Sequence, residues 1–384
     1  MSKNIARTER IHERLLEWYA AEARELPWRR TRDPYAILVS EIMLQQTRVE
    51  TAIAYFERFM AQFPSIEALA EASIDEVLKV WQGLGYYRRA HNLHAAARRT
   101  VEEHGGSLPD DVKQLRSLPG IGAYTAGAVA SIAFGRNQPA LDGNIIRVLT
   151  RVYRIQGDPS RAATRAQILQ HAQALTRLGS ASEINQALMD LGARICRPRT
   201  PDCGACPITN ECDAHHAGEE TAYPRNPKRQ PVPHRTVVAG VVWEGEPYAK
   251  GARVLVAKRR TGDMLGGLWE FPGGCVESGE TPEEALHREL REELAIEVNS
   301  LTPLVTVRHT YTHFRMTMHV YSCRHCAGEP VAIECDDWAW TTLQRLDEYA
   351  FSKADLKVIE ALTDPSRRSE IAGRRPGAAS PADR

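Results

Sequence analysis

Residues 196–212 read CRPRTPDCGACPITNEC and bring four cysteines, Cys196, Cys203, Cys206 and Cys212, into one short loop. Four thiolates in such a loop can surround a single metal centre. Zinc also accepts four sulfur ligands, but paired zinc knuckles usually carry two closely spaced cysteine pairs, and this loop has one. The loop therefore predicts a metal centre, with an iron–sulfur cluster favoured over zinc and a structural role favoured over a redox role.

The stretch upstream of this loop, LRSLPGIGAYTAGAVASIAF at 115–134, predicts two helices joined by a glycine-containing turn. Glycine allows a tight turn, and the amides at the start of the second helix lie at the positive end of its dipole. Such amides bind phosphate without any basic side chain. The pattern resembles a helix-hairpin-helix, in which Gly120 and Gly122 would contact a DNA phosphate.

Hydrophobic periodicity divides the chain into two different domains. Apolar residues at spacings of three and four predict helices up to about residue 223. After the linker, strand-like runs at 237–243 and 253–259, an alternating run at 315–323 and a helix at 282–294 predict an α+β domain. The predicted fold is multidomain: an all-α domain with its cysteine loop, followed by the α+β domain. The predicted boundaries are 1–195 for the helical domain, 196–223 for the cysteine loop, 224–236 for a proline-rich linker, 237–363 for the α+β domain and 364–384 for a disordered tail.

Composition narrows the possible classes of protein. The 384 residues include 49 Lys+Arg and 49 Asp+Glu, and 43% are hydrophobic, which excludes a disordered or collagen-like chain. No basic excess marks a nucleic-acid surface, so any DNA contact must be local. No secretory signal and no apolar run of membrane-spanning length is visible. We therefore expect a cytoplasmic protein, associated with the nucleoid if the source is bacterial.

Two carboxylates are candidates for catalysis. Glu41 lies in YAILVSEIMLQQTRV (35–49), which is apolar on nearly every face and predicts a buried helix. Burial raises the pKa of a carboxyl, as a general acid requires, although a buried Glu paired with an Arg is the simpler alternative. Asp142 precedes a predicted helix in LDGNIIRVLTR (141–151), so an N-cap is its simpler role. Cleavage of an N-glycosidic bond needs one carboxyl to protonate the leaving base and one carboxylate to stabilise the sugar cation.

Together these stretches resemble the adenine DNA glycosylases of the MutY type, within the helix-hairpin-helix, iron–sulfur glycosylase superfamily. The similarity extends over most of the chain up to about residue 350. The matching stretches are LPWR (26–29), DPYAILVSEIMLQQTRVETAIAYF (33–56), WQGLGYYRRAHNL (81–93), LPGIGAYTAGAV (118–129), LDGNIIRVL (141–149), INQALMDLGARIC (184–196) and GGLWEFPGG (266–274).

The resemblance implies excision of adenine mispaired with 8-oxoguanine or guanine, after the base is flipped out of the duplex. It implies a [4Fe-4S] cluster on the four cysteines and double-stranded DNA as the partner. We expect a monomer. Glu41 would be the acid/base and Asp142 the cation stabiliser, helped by Tyr124 and Asn144. The remaining implied contacts are Trp28, Arg29, Leu44 and Gln186 in the adenine pocket, Gln46 and Tyr86 as duplex wedges, and Thr47 and Leu84 on the 8-oxoguanine side.

The position of Tyr124 distinguishes between relatives of this superfamily. Endonuclease III-like lyases carry a nucleophilic Lys at this place in the helix after the hairpin, whereas this chain has Tyr in GIGAYTA. A neutral phenol forms no imine with the sugar. The sequence therefore predicts a monofunctional glycosylase that leaves an abasic site.

The α+β domain contains a nearly complete Nudix box. Its residues are Gly274, Glu280, Arg288, Glu289, Leu290, Glu292, Glu293 and Ile296, with Ala295 in place of the usual Gly. Glu289, Glu292 and Glu293 lie on one helix face and could hold Mg²⁺ on a diphosphate. Two interpretations remain open: a lesion-recognition domain with an acidic helix, or a pyrophosphatase acting on oxidised nucleotides.

Two smaller features complete the sequence predictions. The loop RHTYTHFRM (308–316) resembles the family's Phe-Ser-His loop that reaches 8-oxoguanine, and it carries Tyr311, Thr312 and His313 in place of that triplet. Cys323 and Cys326 have no partner pair, so two strand cysteines are the simpler interpretation. A lesion-binding protein without catalysis is a further alternative, and Glu41 with Asp142 argues against it.

Overall fold

The computed structural model describes residues 2–225, 232–311 and 313–364. Part of the predicted linker, Thr312 and all but the first residue of the predicted tail therefore lie outside the described residues. Contacts group the chain into two compact units, one formed by Met1–Glu71 with Asn92–Arg229 and one by Ala72–His91 with Gln230–Arg384. The domain boundaries predicted from the sequence keep residues 72–91 in the helical domain. In the structure, the contacts of this segment group it with the second unit.

The chain up to His216 is mainly helical, as predicted. The helices are α1 Ser2–Glu22, α2 Pro34–Leu44, α3 Val49–Gln62, α4 Ile66–Glu71, α5 Ile74–Trp81, α6 Arg88–His104, α7 Val112–Ser117, α8 Ala123–Ile132, α9 Gly143–Val152, α10 Ala162–Thr176, α11 Ala181–Arg194 and α12 Asp213–His216. A shared apolar core joins α1, α9, α10 and α11 to the segment after the cysteine loop. No helix in the described ranges is both long and apolar enough to cross a membrane.

The predicted helix over 35–49 is too long at its C-terminal end. Asp33 caps α2 by accepting from the amides of Tyr35 and Ala36, and the helix ends at Leu44. Gln46 then takes a left-handed conformation with φ 58°. The apolar pattern continues past Leu44 only in part, and this turn, which a helical period cannot predict, breaks the helix.

The C-terminal part forms a mixed sheet. Its strands are β1 His234–Glu244, β2 Arg253–Lys258, β3 Trp269–Glu270, β4 Glu297–Thr310, β5 Arg315–Ala327 and β6 Asp337–Thr341. The order is β3-β2-β1-β5-β4, with β6 also on β2, and β1 runs parallel to β5 while the other pairs are antiparallel. Because β1 pairs with β5 from His234 onward, the last three residues of the predicted linker are strand.

Two helices, α13 Pro282–Leu294 and α14 Lys353–Thr363, cover opposite faces of this sheet. Side chains of β1 alternate between the two cores: Val238 and Val242 pack with α13, and Ala239 and Val241 pack with α14. This alternation is the period of two expected for a strand buried on both faces. The predicted helix at 282–294 is confirmed, and so is the combination of an all-α part with a sheet-containing part.

Candidate active site

Glu41 is buried near the C-terminal end of α2, with 4% of its surface exposed. Every residue from Tyr35 to Met43 is buried, so the carboxyl has apolar surroundings on its own helix. Burial raises the pKa of Glu41 to about 7, against the opposing effect of a hydrogen bond that the Tyr124 hydroxyl donates to Oε2. A substantial fraction of this carboxyl is therefore protonated near neutral pH, where an ordinary Glu is ionised, as general acid catalysis requires.

The simpler alternative for Glu41 was an ion pair with an Arg. The nearby Arg29 does not form that pair, because it bonds another carboxylate. The Arg29 guanidinium donates to both carboxylate oxygens of Asp190, over 2.8 and 3.0 Å. Arg24 bonds the same carboxylate. Sequence reasoning missed Asp190, whose burial on α11 among apolar neighbours was the available signal.

Asp142 fills the N-cap role that was its simpler interpretation. Its Oδ1 accepts from the amide of Ile145 over 2.6 Å, and its Oδ2 accepts from Asn144 Nδ2 over 2.7 Å. Burial raises the pKa of Asp142, and these hydrogen bonds oppose the rise by favouring the carboxylate. The charge of Asp142 in turn raises the pKa of Glu41. The two carboxyls thus share one electrostatic environment, with the hydrogen-bond donors concentrated on Asp142.

Arg147 links this pair to the cysteine loop, and sequence reasoning missed it. Its Nη2 donates to Asn144 Oδ1 over 2.7 Å, and its Nε donates to the carbonyl of Cys196 over 2.8 Å. A continuous hydrogen-bonded chain therefore runs from Asp142 through Asn144 and Arg147 to the first cysteine. The signal in the sequence was the spacing of Asn144 and Arg147 by three positions on one helix face.

The four cysteines line one cavity. Arg151, fully buried on α9, donates to the carbonyls of Tyr223, Cys196, Arg197 and Pro198, and to Cys196 Sγ over 3.2 Å. One side chain therefore holds both ends of the loop. Four sulfurs around one cavity, with a buried cation beside them, fit an anionic cluster of thiolates.

The other residues predicted for substrate contact occupy varied environments. Trp28 is buried edge-on against Phe56, with ring centroids 5.4 Å apart, and Gln186 bonds Ser182 on its own helix. Leu44 and Thr47 are half-buried and Gln46 is exposed. In the second unit, Leu84 is buried and Tyr86 is exposed.

The predicted helical hairpin is confirmed by α7 and α8. Gly120 has φ +73° in the turn, and Gly122 is the N-cap residue of α8, without a side-chain cap. The first amides of α8 are thus left for a ligand or solvent. This is the geometry that phosphate binding by backbone amides requires.

Comparison with known proteins agrees with this geometry. Residues 39–173 match the HhH-GPD superfamily of base excision DNA repair proteins, and residues 248–361 match the NUDIX domain. Adenine DNA glycosylase of Rattus norvegicus is 35% identical over 99% of this chain and 83% of its own length. The Homo sapiens adenine DNA glycosylase is 34% identical over 100% of this chain and 79% of its own length.

The chain belongs to the adenine DNA glycosylase family. It is therefore a DNA glycosylase of base excision repair, an enzyme that cleaves N-glycosidic bonds. A solved thermostable thymine-DNA glycosylase is 29% identical, with a TM-score of 0.52, and covers 56% of this chain and 100% of its own. This likeness agrees with the fold of the helical part.

In the Nudix box of this glycosylase, Arg288 bonds three of the glutamates. Its guanidinium bonds the carboxylates of Glu280, Glu289 and Glu292, over 2.9 to 3.0 Å. Glu293 instead accepts from the amide of Gly273, and burial raises its pKa to about 7. The three predicted magnesium ligands are thus held on one side of α13, two of them by the same Arg.

Gly274 and Ala295 are small residues of the Nudix box at positions with a steric or a backbone constraint. A Cβ on Gly274 would lie 2.2 Å from the carboxylate carbon of Glu289, so a side chain there would displace that carboxylate. Ala295 ends α13 in the left-handed conformation, with φ 56° and ψ 32°. The substitution of the usual Gly by Ala therefore keeps the backbone shape, at the cost in strain that a Cβ brings to this conformation.

The loop predicted to reach 8-oxoguanine is described except at Thr312. Tyr311 is half-buried and stacks on Phe314 with ring centroids 4.9 Å apart, whereas His313 is exposed. The ring of Tyr311 thus packs against the apolar core that contains α14. Cys323 is buried in β5 and Cys326 is exposed on the same strand, which agrees with two strand cysteines.

Proposed function

We propose that this glycosylase excises adenine from mispairs with 8-oxoguanine and with guanine. The observation that carries the proposal is the buried Glu41 carboxyl, which has a pKa of about 7, is bonded to Tyr124 and lies in the same electrostatic environment as Asp142. The names of the relatives and the matching sequence stretches support adenine as the leaving base. Tyr311 and His313, beside Thr312, are the side chains through which the C-terminal domain would contact 8-oxoguanine.

The reaction is hydrolysis through an oxocarbenium-like state. The flipped adenine takes a proton from Glu41 as the bond between its nitrogen and the sugar carbon breaks, and the bond electrons leave with the base. The carboxylate of Asp142, oriented by Asn144, stabilises the sugar cation. Water then adds to the sugar carbon and loses its proton to Glu41, which restores the acid and leaves an abasic site.

The enzyme is proposed to be monofunctional. Strand cleavage by a lyase requires an amine that forms an imine with the sugar. Tyr124 occupies the expected position, and its hydroxyl is committed to Glu41. No strand cleavage beyond spontaneous breakage of the abasic site is therefore expected.

A [4Fe-4S] cluster on Cys196, Cys203, Cys206 and Cys212 is the second part of the proposal. The cavity that all four line and the cationic Arg151 beside it support the assignment. The cluster would supply a structural cross-link, and the chain's own Arg147 would transmit the loop's position to Asn144. Visible absorbance of freshly purified protein, together with iron and zinc content per chain, tests the choice of metal.

Substitution of the acid tests the function. Glu41→Gln should lower single-turnover excision of adenine by at least about 10²-fold, because general acid catalysis contributes that much, while the variant still binds the mispair. Duplexes with 8-oxoguanine:adenine, guanine:adenine and thymine:adenine report the specificity. The exposed Glu57→Gln on α3 is the matched control. Normal excision by Glu41→Gln would refute the assignment.

A second candidate function is a magnesium-dependent pyrophosphatase at the Nudix box. Two observations favour this activity. Ala295 keeps the left-handed backbone conformation at the end of α13, and the hydrogen bonds of Arg288 hold the glutamates of the box in place. Release of pyrophosphate from 8-oxo-dGTP with Mg²⁺ would show this activity. Glu292→Gln should remove it, and Glu297→Gln, which lies after the box and pairs with Arg291, should not. Equal, background rates in all three proteins would leave recognition as the domain's function.

A further inference from the structure

The turn Gly83–Tyr87 joins α5 to α6 within the second unit. Three of its residues have positive φ: Gly83 at 91°, Gly85 at 79° and Tyr86 at 50°. The indole nitrogen of Trp81 donates to the carbonyl of Gly85 over 3.1 Å, while the Tyr86 side chain is 39% exposed. The turn thus presents an aromatic ring to solvent on a backbone that needs support, because a left-handed Tyr is strained.

Side chains of α5 attach this segment to the sheet-containing part of the second unit. The ammonium of Lys258 at the end of β2 lies 2.7 Å from Asp75 Oδ1, and the Lys258 side chain is 17% exposed. The ammonium of Lys79 donates to the carbonyl of Tyr349 over 3.2 Å. The helix that leads into the turn is therefore fixed by one ion pair and one charged hydrogen bond.

Tyr87 at the end of the turn and His91 on α6 also bond to the sheet-containing part of the second unit. The Tyr87 hydroxyl accepts from the amide of Gly83 over 3.0 Å and donates to the carbonyl of Phe351 over 3.4 Å. His91 Nε2 lies 2.9 Å from the carbonyl oxygen of Gly266. One phenol thus ties the first residue of the turn directly to the C-terminal part.

Close packing accompanies these bonds. Gly267 has φ +77°, and a Cβ there would lie 3.1 Å from His91 Cε1 and 3.1 Å from Leu78 Cδ1. Any side chain at this position would therefore press on both sides of the segment. We call the set Lys258, Gly266, Gly267, Tyr349 and Phe351 the bracing face.

We propose that the bracing face holds the turn in the conformation that presents Tyr86 to the duplex, so that the Nudix-like fold positions a wedge for base extrusion. Tyr87, Asp75 and Lys258 are then positioning residues. The inference rests on the proposed function and, within it, on the duplex wedge that the family resemblance implies for Tyr86. It gives the C-terminal fold a role in the glycosylase reaction that is separate from contact with 8-oxoguanine.

The first measurement is amide hydrogen exchange of the free, full-length protein, which needs no DNA and no activity. Tyr87→Phe, and Asp75→Ala with Lys258→Ala, should speed exchange at 83–87 by roughly threefold to tenfold, as the loss of one or two hydrogen bonds implies. Arg253→Ala is the control, because it removes an exposed ion pair to Glu244 elsewhere on β2. Unchanged exchange in the first two variants overturns the proposal.

The second measurement is the rate at which 2-aminopurine, placed at the target position of a mispaired duplex, becomes unstacked on mixing with protein. Tyr87→Phe and Lys258→Ala should slow extrusion by a similar factor, and combining Asp75→Lys with Lys258→Asp should restore the rate lost in Lys258→Asp. A merely structural contact would lower thermal stability without this rescue of extrusion. That result would overturn the proposal.

A further variant separates this proposal from the proposed function. If Tyr86→Ala slows extrusion and Tyr87→Phe does not, the bracing role alone is wrong. If Tyr86→Ala extrudes the base at the wild-type rate, the wedge role in the proposed function is wrong, and the bracing role in extrusion falls with it.

Discussion

At the scale of single residues, the chemistry of the site depends on how Glu41 and Asp142 differ. Glu41 lies in an apolar helix with one phenol as its partner, whereas Asp142 accepts from a backbone amide and a carboxamide. Desolvation favours the neutral acid, and hydrogen-bond donors favour the carboxylate. The proposed division of roles, with Glu41 as acid and Asp142 as cation stabiliser, rests on these surroundings rather than on residue type.

Tyr124 tunes the acid, so its loss should move the pH profile of excision. The hydrogen bond from Tyr124 lowers the pKa of Glu41. Without this bond, Glu41 should stay protonated to higher pH. The single-turnover rate of wild type should fall as pH rises through about 7, because the acid loses its proton there. In Tyr124→Phe this alkaline limb should lie at higher pH. A limb that stays in place, or moves to lower pH, would contradict the assignment of Glu41 as the acid.

The buried Glu41 should also make stability depend on pH. Its pKa is about 7 in the folded chain and about 4.3 in an unfolded one. Between these values the folded state binds the extra proton, so the free energy of unfolding falls as pH rises. Relative to wild type, Glu41→Gln should gain up to about 3 kcal/mol between pH of about 4 and 8. Urea unfolding of both proteins across this range measures the difference, and a constant difference would contradict the raised pKa.

At the scale of elements, α9 carries two arginines with different tasks. Arg147 joins the cysteine loop to Asn144, and Arg151 holds the loop itself. Their spacing of four residues places them on one face of the helix, toward the loop. One helix thus carries the Asp142 cap at its start and the two arginines that hold the cysteine loop along its length.

Substitution should separate these two tasks. Arg151→Met leaves several buried carbonyls without donors, so it should reduce iron content and lower the free energy of unfolding by at least about 3 kcal/mol. Arg147→Met should keep the iron yet lower the single-turnover excision rate by roughly tenfold or more, because Asn144 and Asp142 lose their orientation. The exposed Arg165→Met on α10 is the control. Equal loss of iron in both variants would contradict separate roles.

Local sequence patterns predicted some elements well and could not predict others. The helix at 282–294 follows from a Thr-Pro start, an amphipathic period and a charged outer face, and its capping box on Thr281 and Glu284 is purely local. The end of α2 at Leu44 could not be predicted, because the residue type of Gln46 does not mark it for a left-handed conformation. The long-range bonds could not be predicted either: the arginine partners of Asp190 lie 166 and 161 residues away in the chain, and Arg147 bonds the carbonyls of Gly192 and Cys196, 45 and 49 residues away. Residue types and motif spacing indicated Glu41, Asp142 and the cysteines, but not the bonds that orient them.

At the scale of the whole molecule, balanced charge constrains how DNA is held. The chain has 49 cationic and 49 acidic side chains, and Arg194, near the cysteine loop, is paired with Glu22. Amides of the α7–α8 hairpin bind phosphate without contributing a full charge. Affinity should therefore depend on few ionic contacts.

Salt titration tests this charge argument. A protein with six to ten ionic phosphate contacts loses about 10³ to 10⁵ in affinity between roughly 50 and 200 mM salt. We expect a smaller loss, below about 10³, for Glu41→Gln bound to an 8-oxoguanine:adenine duplex in fluorescence anisotropy. A steeper dependence would indicate a basic surface that the balanced composition conceals.

The assignment of Ala72–His91 to the second unit has a consequence for the order of events during synthesis. Ribosomes add about 5 to 20 residues per second and domains fold as they emerge. Phe351 follows His91 by about 260 residues. Roughly 13 to 52 s therefore pass between synthesis of the turn and synthesis of Phe351, the last of its partners. During that interval the nascent helical part lacks the contacts that the bracing face provides, and Leu78 and Trp81 are candidates for chaperone binding. Maturation of this enzyme is therefore expected to finish only after its C-terminal half has been made.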